Sequence, residues 1–204
     1  MTFGFIIVIY DEPQKQIDAC VRSVRNVYPD KQIILISDGG PDIVVPDGCR
    51  FIRGEHLKEL RFGGAWVHRL CEVGLTLNTD KVIKIDPDTR VVRPFREMPD
   101  ADYFGELMGN NKIGVNIICG GCKGYSSRVL RQAFVEKWFL DSVFVNNDIF
   151  SYKKRGRSNA LSEDQATAWG FFKHGVSFTC WPEIMNENFN IPRFATKHRV
   201  FEPS

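Results

Sequence analysis

Several signatures that would assign a function at a glance are missing. No Gly-x-Gly-x-x-Gly follows the first apolar run and no P-loop occurs, which excludes a dinucleotide-binding oxidoreductase of the usual type and a P-loop nucleotide hydrolase. Long apolar runs are lacking too. Residues 3–10 are the most apolar stretch near the start, but they have no basic flank, are too short to span a bilayer and meet Asp11-Glu12 at once. They read as a buried strand and not as a signal, so no membrane span is expected. Surplus charge of one sign is missing as well: 27 Lys and Arg oppose 25 Asp and Glu, and the net +2 gives no general reason to expect nucleic acid or an anionic membrane as partner. Any anion site must be local. Among six cysteines (Cys20, Cys49, Cys71, Cys119, Cys122 and Cys180) only Cys119 and Cys122 have Cys-x-x-Cys spacing, and no second pair completes a zinc site. Free thiols in a reducing compartment account for the set, so a cytoplasmic location is expected. There is no internal repeat and no low-complexity segment.

What is present suffices for one full core. With 204 residues, 43% of them hydrophobic, the chain is expected to fold as a single domain, 1–204, of the α/β class. A strand at residues 4–9 ends in Tyr10-Asp11-Glu12-Pro13. Ile17, Cys20, Val21, Val24, Val27 and Tyr28 then recur at three- and four-residue steps, the apolar face of a helix closed by Pro29-Asp30. A second buried strand follows at 32–36 and ends in Ser37-Asp38-Gly39-Gly40. Such a βαβ opening implies parallel strands and a right-handed crossover. A shorter strand is expected at 50–53, and a helix from Arg61-Phe62-Gly63-Gly64 to about residue 78. Its glycine-rich start offers free backbone amides to a phosphate, or serves only to pack the helix start.

The stretch Lys81 to Arg90 organises the rest. Val82, Ile83 and Ile85 make it an inner strand, and Pro87, which lacks an amide donor, stops the ladder so that Asp86 and Asp88 project from its carboxyl end. In open α/β sheets ligands bind at that edge. Two readings stand: a turn, for which these residue types are suited, or hard oxygen ligands for Mg²⁺ or Mn²⁺ gripping a diphosphate.

Beyond residue 95 strands are expected at 103–107 and 115–119, with Gly120 and Gly121 after the second able to admit a sugar close to the backbone. A helix at 126–138 starts on Ser126 or Ser127, and a weak strand lies at 143–145. The one cationic run, residues 153–159, is a solvated loop or a lure for an anionic acceptor. Leu161-Ser162-Glu163-Asp164 enters a helix, where acidic residues favour the dipole. The tail from Trp181 has no periodicity and is expected to form a mobile flap.

In this order the motifs resemble the GT-A fold of nucleotide-sugar glycosyltransferases, over about residues 3–181. Tyr10-Asp11-Glu12 is similar to the nucleoside-binding turn of the family-2 group, and Ser37-Asp38-Gly39 to its Asp-Asp-Gly element, with Ser37 in place of the first Asp. Asp86-Pro87-Asp88 matches the D-x-D motif, and Glu163-Asp164 resembles the motif whose Asp is the base of inverting members. The resemblance implies a mixed, mainly parallel sheet, with a nucleotide-binding half over 1–95 and an acceptor half with a C-terminal flap over 96–204. It also implies a nucleotide-sugar donor, UDP-linked by family likeness, a glycan or glycoprotein acceptor, and Mn²⁺ or Mg²⁺. Asp86 and Asp88 are then metal ligands, and His198 in the tail is the candidate third. Asp164 and Glu163 are the catalytic carboxylates of an inverting reaction, with a retaining one, in which the leaving phosphate takes the proton, as the alternative; Tyr10, Asp11, Glu12, Asp38, Arg61, Gly64, Asp86 and Gly121 line the donor site. The Gln-x-x-Arg-Trp of processive synthases is absent, which disfavours a polymerising enzyme. In size the chain resembles stand-alone GT-A domains of bacteria and of large algal viruses, which in the viral case implies the host cytoplasm.

Two rival functions remain. Ile85-Asp86-Pro87-Asp88-Thr89 also fits a haloacid-dehalogenase-like phosphatase with Asp86 as nucleophile, although that family puts the motif on its first core strand and here about three strands precede it. A non-catalytic nucleotide- or glycan-binding module is the other. The presence of Asp86, Asp88 and Asp164 together speaks against it.

Overall fold

The structure, a computed structural model, describes residues 1–55, 63–110, 116–140, 163–184, 195–197 and 200, without the side chains of 108–110, 116–120 and 197. Its centre is a seven-stranded sheet in the order β3-β2-β1-β4-β7-β6-β8. β1 (Phe3–Ile9), β2 (Ile33–Ser37), β3 (Cys49–Ile52) and β4 (Lys81–Ile85) run parallel, with β1 between β2 and β4. β7 (Asn116–Ser126) is antiparallel to both β4 and β6 (Tyr103–Asn110), and β8 (Phe178–Cys180) pairs parallel with β6. The sheet is thus mixed and mainly parallel.

Alternation along the strands sorts the core into two layers. Phe5, Ile7 and Ile9 of β1 pack with Ile83 and Ile85 against Ile17, Cys20, Val21 and Val24 of α1 (Gln14–Val27). Ile6, Val8, Ile34, Ile36 and Val82 face the other way, onto α2 (Gly63–Leu75), α3 (Ser127–Val135) and α4 (Glu163–Lys173). α1 forms because its apolar positions recur at helical spacing behind Pro13, which presets the first turn. In α3 the Ser126 hydroxyl caps the helix, accepting from the Val129 amide at 3.1 Å.

Strand order fixes where a ligand can sit. The chain leaves β1 toward β2 and β3 on one side and returns to place β4 on the other, so the switch point lies between the carboxyl ends of β1 and β4. Tyr10-Asp11-Glu12 follows β1 there and Asp86-Pro87-Asp88 follows β4.

Two expectations change, the bounds of one strand and the place of its glycines. The strand expected at 115–119 runs on to Ser126, so Gly120 and Gly121 lie inside β7 and not after it. A side chain at Gly124 would drive into the Phe104 ring, 2.2 Å away, which is why the strand needs glycine there. The tail, which has no periodicity in sequence, contributes β9 (Thr196–Lys197), paired antiparallel with β5 (Arg90–Val91). Backbone pairing is sequence-tolerant, so composition gave no sign of it. The strand expected at 143–145 and the cationic run 153–159 lie outside the described residues.

Candidate active site

The end of β4 is a turn built by its own backbone. The Thr89 amide donates to the Asp86 carbonyl at 2.9 Å, so Asp86-Pro87-Asp88-Thr89 closes a four-residue turn with proline in its favoured second position. This turn presents two partly exposed carboxylates at the sheet edge. It is braced from β7: the Gly121 carbonyl accepts the Asp86 amide at 3.1 Å and the buried Thr89 hydroxyl at 2.7 Å. On the α1 side, Gln16 Nε2 donates to the Pro87 carbonyl at 3.1 Å, and Arg90 donates to the same oxygen at 2.7 Å. The Cys20 thiol lies 3.6 Å from the Asp86 carbonyl; burial pushes its pKa up to about 12, so it stays neutral.

The C-terminal segment straps this turn. The Val92 amide donates to Ala195 at 2.9 Å, and the Val200 amide to the Asp88 carbonyl at 2.9 Å. Val200 in turn accepts from Gln16 Nε2 at 2.6 Å and from Arg90 at 3.3 Å. At the other end, Glu183 accepts from Arg93 at 2.6 Å and from the amides of Arg96 and Glu97 at 2.9 and 2.8 Å, while its backbone carbonyl takes the Ala195 amide at 2.7 Å. Although burial opposes its charge, these donors hold the Glu183 carboxyl below the ordinary glutamate range.

The β1 and β2 turns pack backbone on backbone. The Asp38 amide donates to the Ile9 carbonyl at 2.8 Å, and Gly40 donates to the Ser37 hydroxyl at 3.1 Å. Ser37, which replaces an expected acid, therefore shapes the turn. A Cβ on Gly40 would fall 1.4 Å from the Tyr10 carbonyl oxygen, and one on Gly54 would fall 2.3 Å from that of Ser37. Asp38 is buried, Asp11 is exposed, and Glu12 curls back to accept the Tyr10 amide at 2.6 Å. Gly64 is buried in the first turn of α2. Arg61 and His198 lie outside the described residues, and so does Ser162.

Behind the turn runs a chain of alternating charges. Lys84 and Asp86, two residues apart, share the face of β4 that carries Val82, and Lys84 Nζ lies 2.6 Å from Asp86 Oδ1. Lys84 also reaches Glu163 Oε2 at 3.1 Å. Lys123 Nζ lies 2.7 Å from Glu163 Oε1 and 2.6 Å from Asp164 Oδ1. The two lysine side chains are 1% and 0% exposed and Glu163 is 4%, whereas Asp86 and Asp164 at the two ends are each 26%. Burial disfavours the charged ammonium groups, yet Asp86 and Glu163 hold Lys84 above the ordinary lysine range, and Asp164 and Glu163 do the same for Lys123. The expected acid pair thus divides. Glu163 is locked between two lysines and Asp164 reaches solvent.

Lys84, Lys123, Gln16 and Arg90 escape a sequence reading built on acidic motifs. For Lys84 there was a signal: a lysine inside an apolar inner strand requires a buried carboxylate.

This architecture has a solved counterpart. The galactosyltransferase LgtC, solved in complex with donor and acceptor sugar analogues, matches over 86% of this chain and 73% of that one, with a TM-score of 0.56 and 14% sequence identity. The fold is GT-A. No protein-family model and no curated protein matches the sequence. In this GT-A frame the mainly parallel sheet and its carboxyl-edge turns are those anticipated from the motif order. Among the described residues no helix is long and apolar enough to cross a membrane.

Proposed function

We propose that this chain is a metal-dependent glycosyltransferase that moves a sugar from a nucleoside-diphosphate sugar, UDP-linked, to a hydroxyl of a glycan or glycoprotein. The observation that carries the reading is the pair of carboxylates on a braced turn at the switch point of a GT-A sheet. On this reading the chain is one domain, with a nucleotide half over 1–95 and an acceptor half over 96–204. The five cysteines whose side chains are described are all free, which fits the cytoplasm.

The donor set suits a hard divalent cation such as Mn²⁺ or Mg²⁺. Asp86 and Asp88 offer carboxylate oxygens, and among the described side chains no thiolate competes at the turn. Asp88 would hold the ion, and Asp86, whose Oδ1 lies 2.6 Å from Lys84 Nζ, would steer the ion or the donor ribose. His198, which lies outside the described residues, would be the third ligand. The ion supplies Lewis-acid stabilisation of the departing diphosphate. Tyr10, Asp11, Glu12 and Asp38 receive the nucleoside, with Arg61, Gly64 and Gly121 toward the phosphates and sugar.

Asp164 takes the proton of the acceptor hydroxyl as attack proceeds, and the anomeric configuration inverts. Its partial exposure at the start of α4 supports that role. Glu163, closed off between its lysines, keeps α4 on the sheet.

A thermal-shift panel of nucleotide sugars with and without Mn²⁺ tests the reading. A UDP-sugar should raise the melting temperature in Mn²⁺ and not in chelator. Equal stabilisation in chelator would overturn the metal site, and release of phosphate from simple monoesters would replace the transferase with the phosphatase.

A further inference from the structure

The charged groups beneath the turn are arranged more economically than two separate ion pairs. Taken in order they read Asp86, Lys84, Glu163, Lys123, Asp164, with contacts of 2.6, 3.1, 2.7 and 2.6 Å. They come from three distant elements. Lys84 and Lys123 are cross-strand partners in the register of β4 and β7, which sets two buried ammonium groups side by side. Two like charges placed so repel each other and require a shared anion. Glu163, the first residue of α4, supplies it and gives one carboxylate oxygen to each lysine. The dipole at the start of α4 favours negative charge at that position. Only the two ends of the chain, Asp86 and Asp164, reach solvent, and these are the two carboxylates given donor and acceptor roles above.

We propose that Lys84, Glu163 and Lys123 form a positioning bridge that joins the donor-side carboxylate Asp86 and the acceptor-side carboxylate Asp164 into one ionic unit. None of the three bridging groups touches substrate. Lys84 fixes which oxygen of Asp86 turns toward the bound donor, Lys123 fixes which oxygen of Asp164 turns toward the acceptor, and Glu163 locks the two lysines to each other. The spacing between departing diphosphate and attacking hydroxyl is then set by groups that water does not reach. The roles of the two ends rest on the glycosyltransferase reading; the bridge itself does not.

The bridge is tested first without any substrate, through a double-mutant cycle on urea unfolding with Asp86→Asn and Asp164→Asn. Both sites are partly exposed, so these variants should fold. Within the unit, losing either end still leaves two carboxylates for two lysines, whereas losing both leaves one, Glu163, for Lys84 and Lys123. The midpoint of the double variant should therefore fall by more than the sum of the single shifts. Additive shifts mean two independent ion pairs and overturn the bridge, whatever the protein catalyses.

The positioning role is tested by Glu163→Gln. This variant should keep its dissociation constant for UDP in Mn²⁺ within about twofold while kcat for transfer drops by about 10- to 100-fold, the range expected when reacting groups shift by about an ångström. A lowered melting temperature with unchanged kcat in the folded protein would make the bridge merely structural and overturn the proposal. A wild-type protein that turns over no nucleotide sugar would overturn the functional reading instead. In that case the urea cycle still decides whether the unit exists.

Discussion

Lys84 and Lys123 face each other across the β4–β7 register, both buried, and Asp86, Glu163 and Asp164 neutralise them. Two ammonium groups within a sheet interior would repel each other and lose hydration, so their persistence depends on the acids around them. Removing one member of a buried pair leaves an uncompensated charge. Lys123→Met should cost about 3–5 kcal/mol in urea unfolding. Lys123→Met combined with Asp164→Asn should recover part of that loss, because the stranded carboxylate is then also neutral.

The carboxylate turn makes a binding prediction. If Asp88 holds the cation, UDP at about 100 times its dissociation constant should stabilise the wild type by about 2.7 kcal/mol in Mn²⁺. Asp88→Ala should abolish that gain, while Asp164→Asn should retain it and lose transfer. A melting-temperature series across the three proteins, with Mn²⁺ or with chelator, reads this directly.

Gly40 sets the approach of the β1 and β2 turns. A methyl group there would lie 1.4 Å from the Tyr10 carbonyl oxygen, a contact that only backbone movement relieves. Gly40→Ala should therefore separate the two turns and destabilise the fold by about 2 kcal/mol or more. UDP affinity should fall with it. Gly175→Ala is the useful control, since nothing lies within 4 Å of its added Cβ; its cost comes from a φ of +71° and should leave UDP affinity intact.

Glu183 gives the strap a dependence on pH. Its donors depress the folded-state pKa below the ordinary value of 4.5, so the unfolded chain binds the proton more readily. The stabilisation is present above about pH 4.5 and is lost as pH falls through the folded value. Glu183→Gln should lower stability at pH 7 by roughly 1–3 kcal/mol and narrow its gap to the wild type under acid, as read by urea midpoints from pH 3 to 7.

Gln16 ties the carboxylate turn and the strap through one amide, which donates to both Pro87 and Val200. Gln16→Leu keeps the side chain's bulk and removes both bonds. It should cost roughly 1–3 kcal/mol and weaken Mn²⁺-dependent UDP binding, checked by titration calorimetry.

Much of this was decided locally along the chain. The helical spacing of Ile17, Cys20, Val21 and Val24, the apolar β1 and β2 runs, and the stop at Pro87 are contacts and dihedral limits among near neighbours, so the sequence alone determined the βαβ opening and the acid-bearing turn after β4. Tertiary structure decided what depends on pairing between distant segments. Strand register and order seat β7 beside β4 and so bring Lys123 opposite Lys84. α4 then delivers Glu163 and Asp164 from 41 residues beyond Lys123 in the case of Asp164. Backbone hydrogen bonds also dock β9 and Val200 on the Asp88 turn, and these carry no side-chain signature. A lysine's side chain does not reveal which carboxylate will neutralise it, because that partner is set by the packing of whole elements and by the cost of burying a charge unpaired.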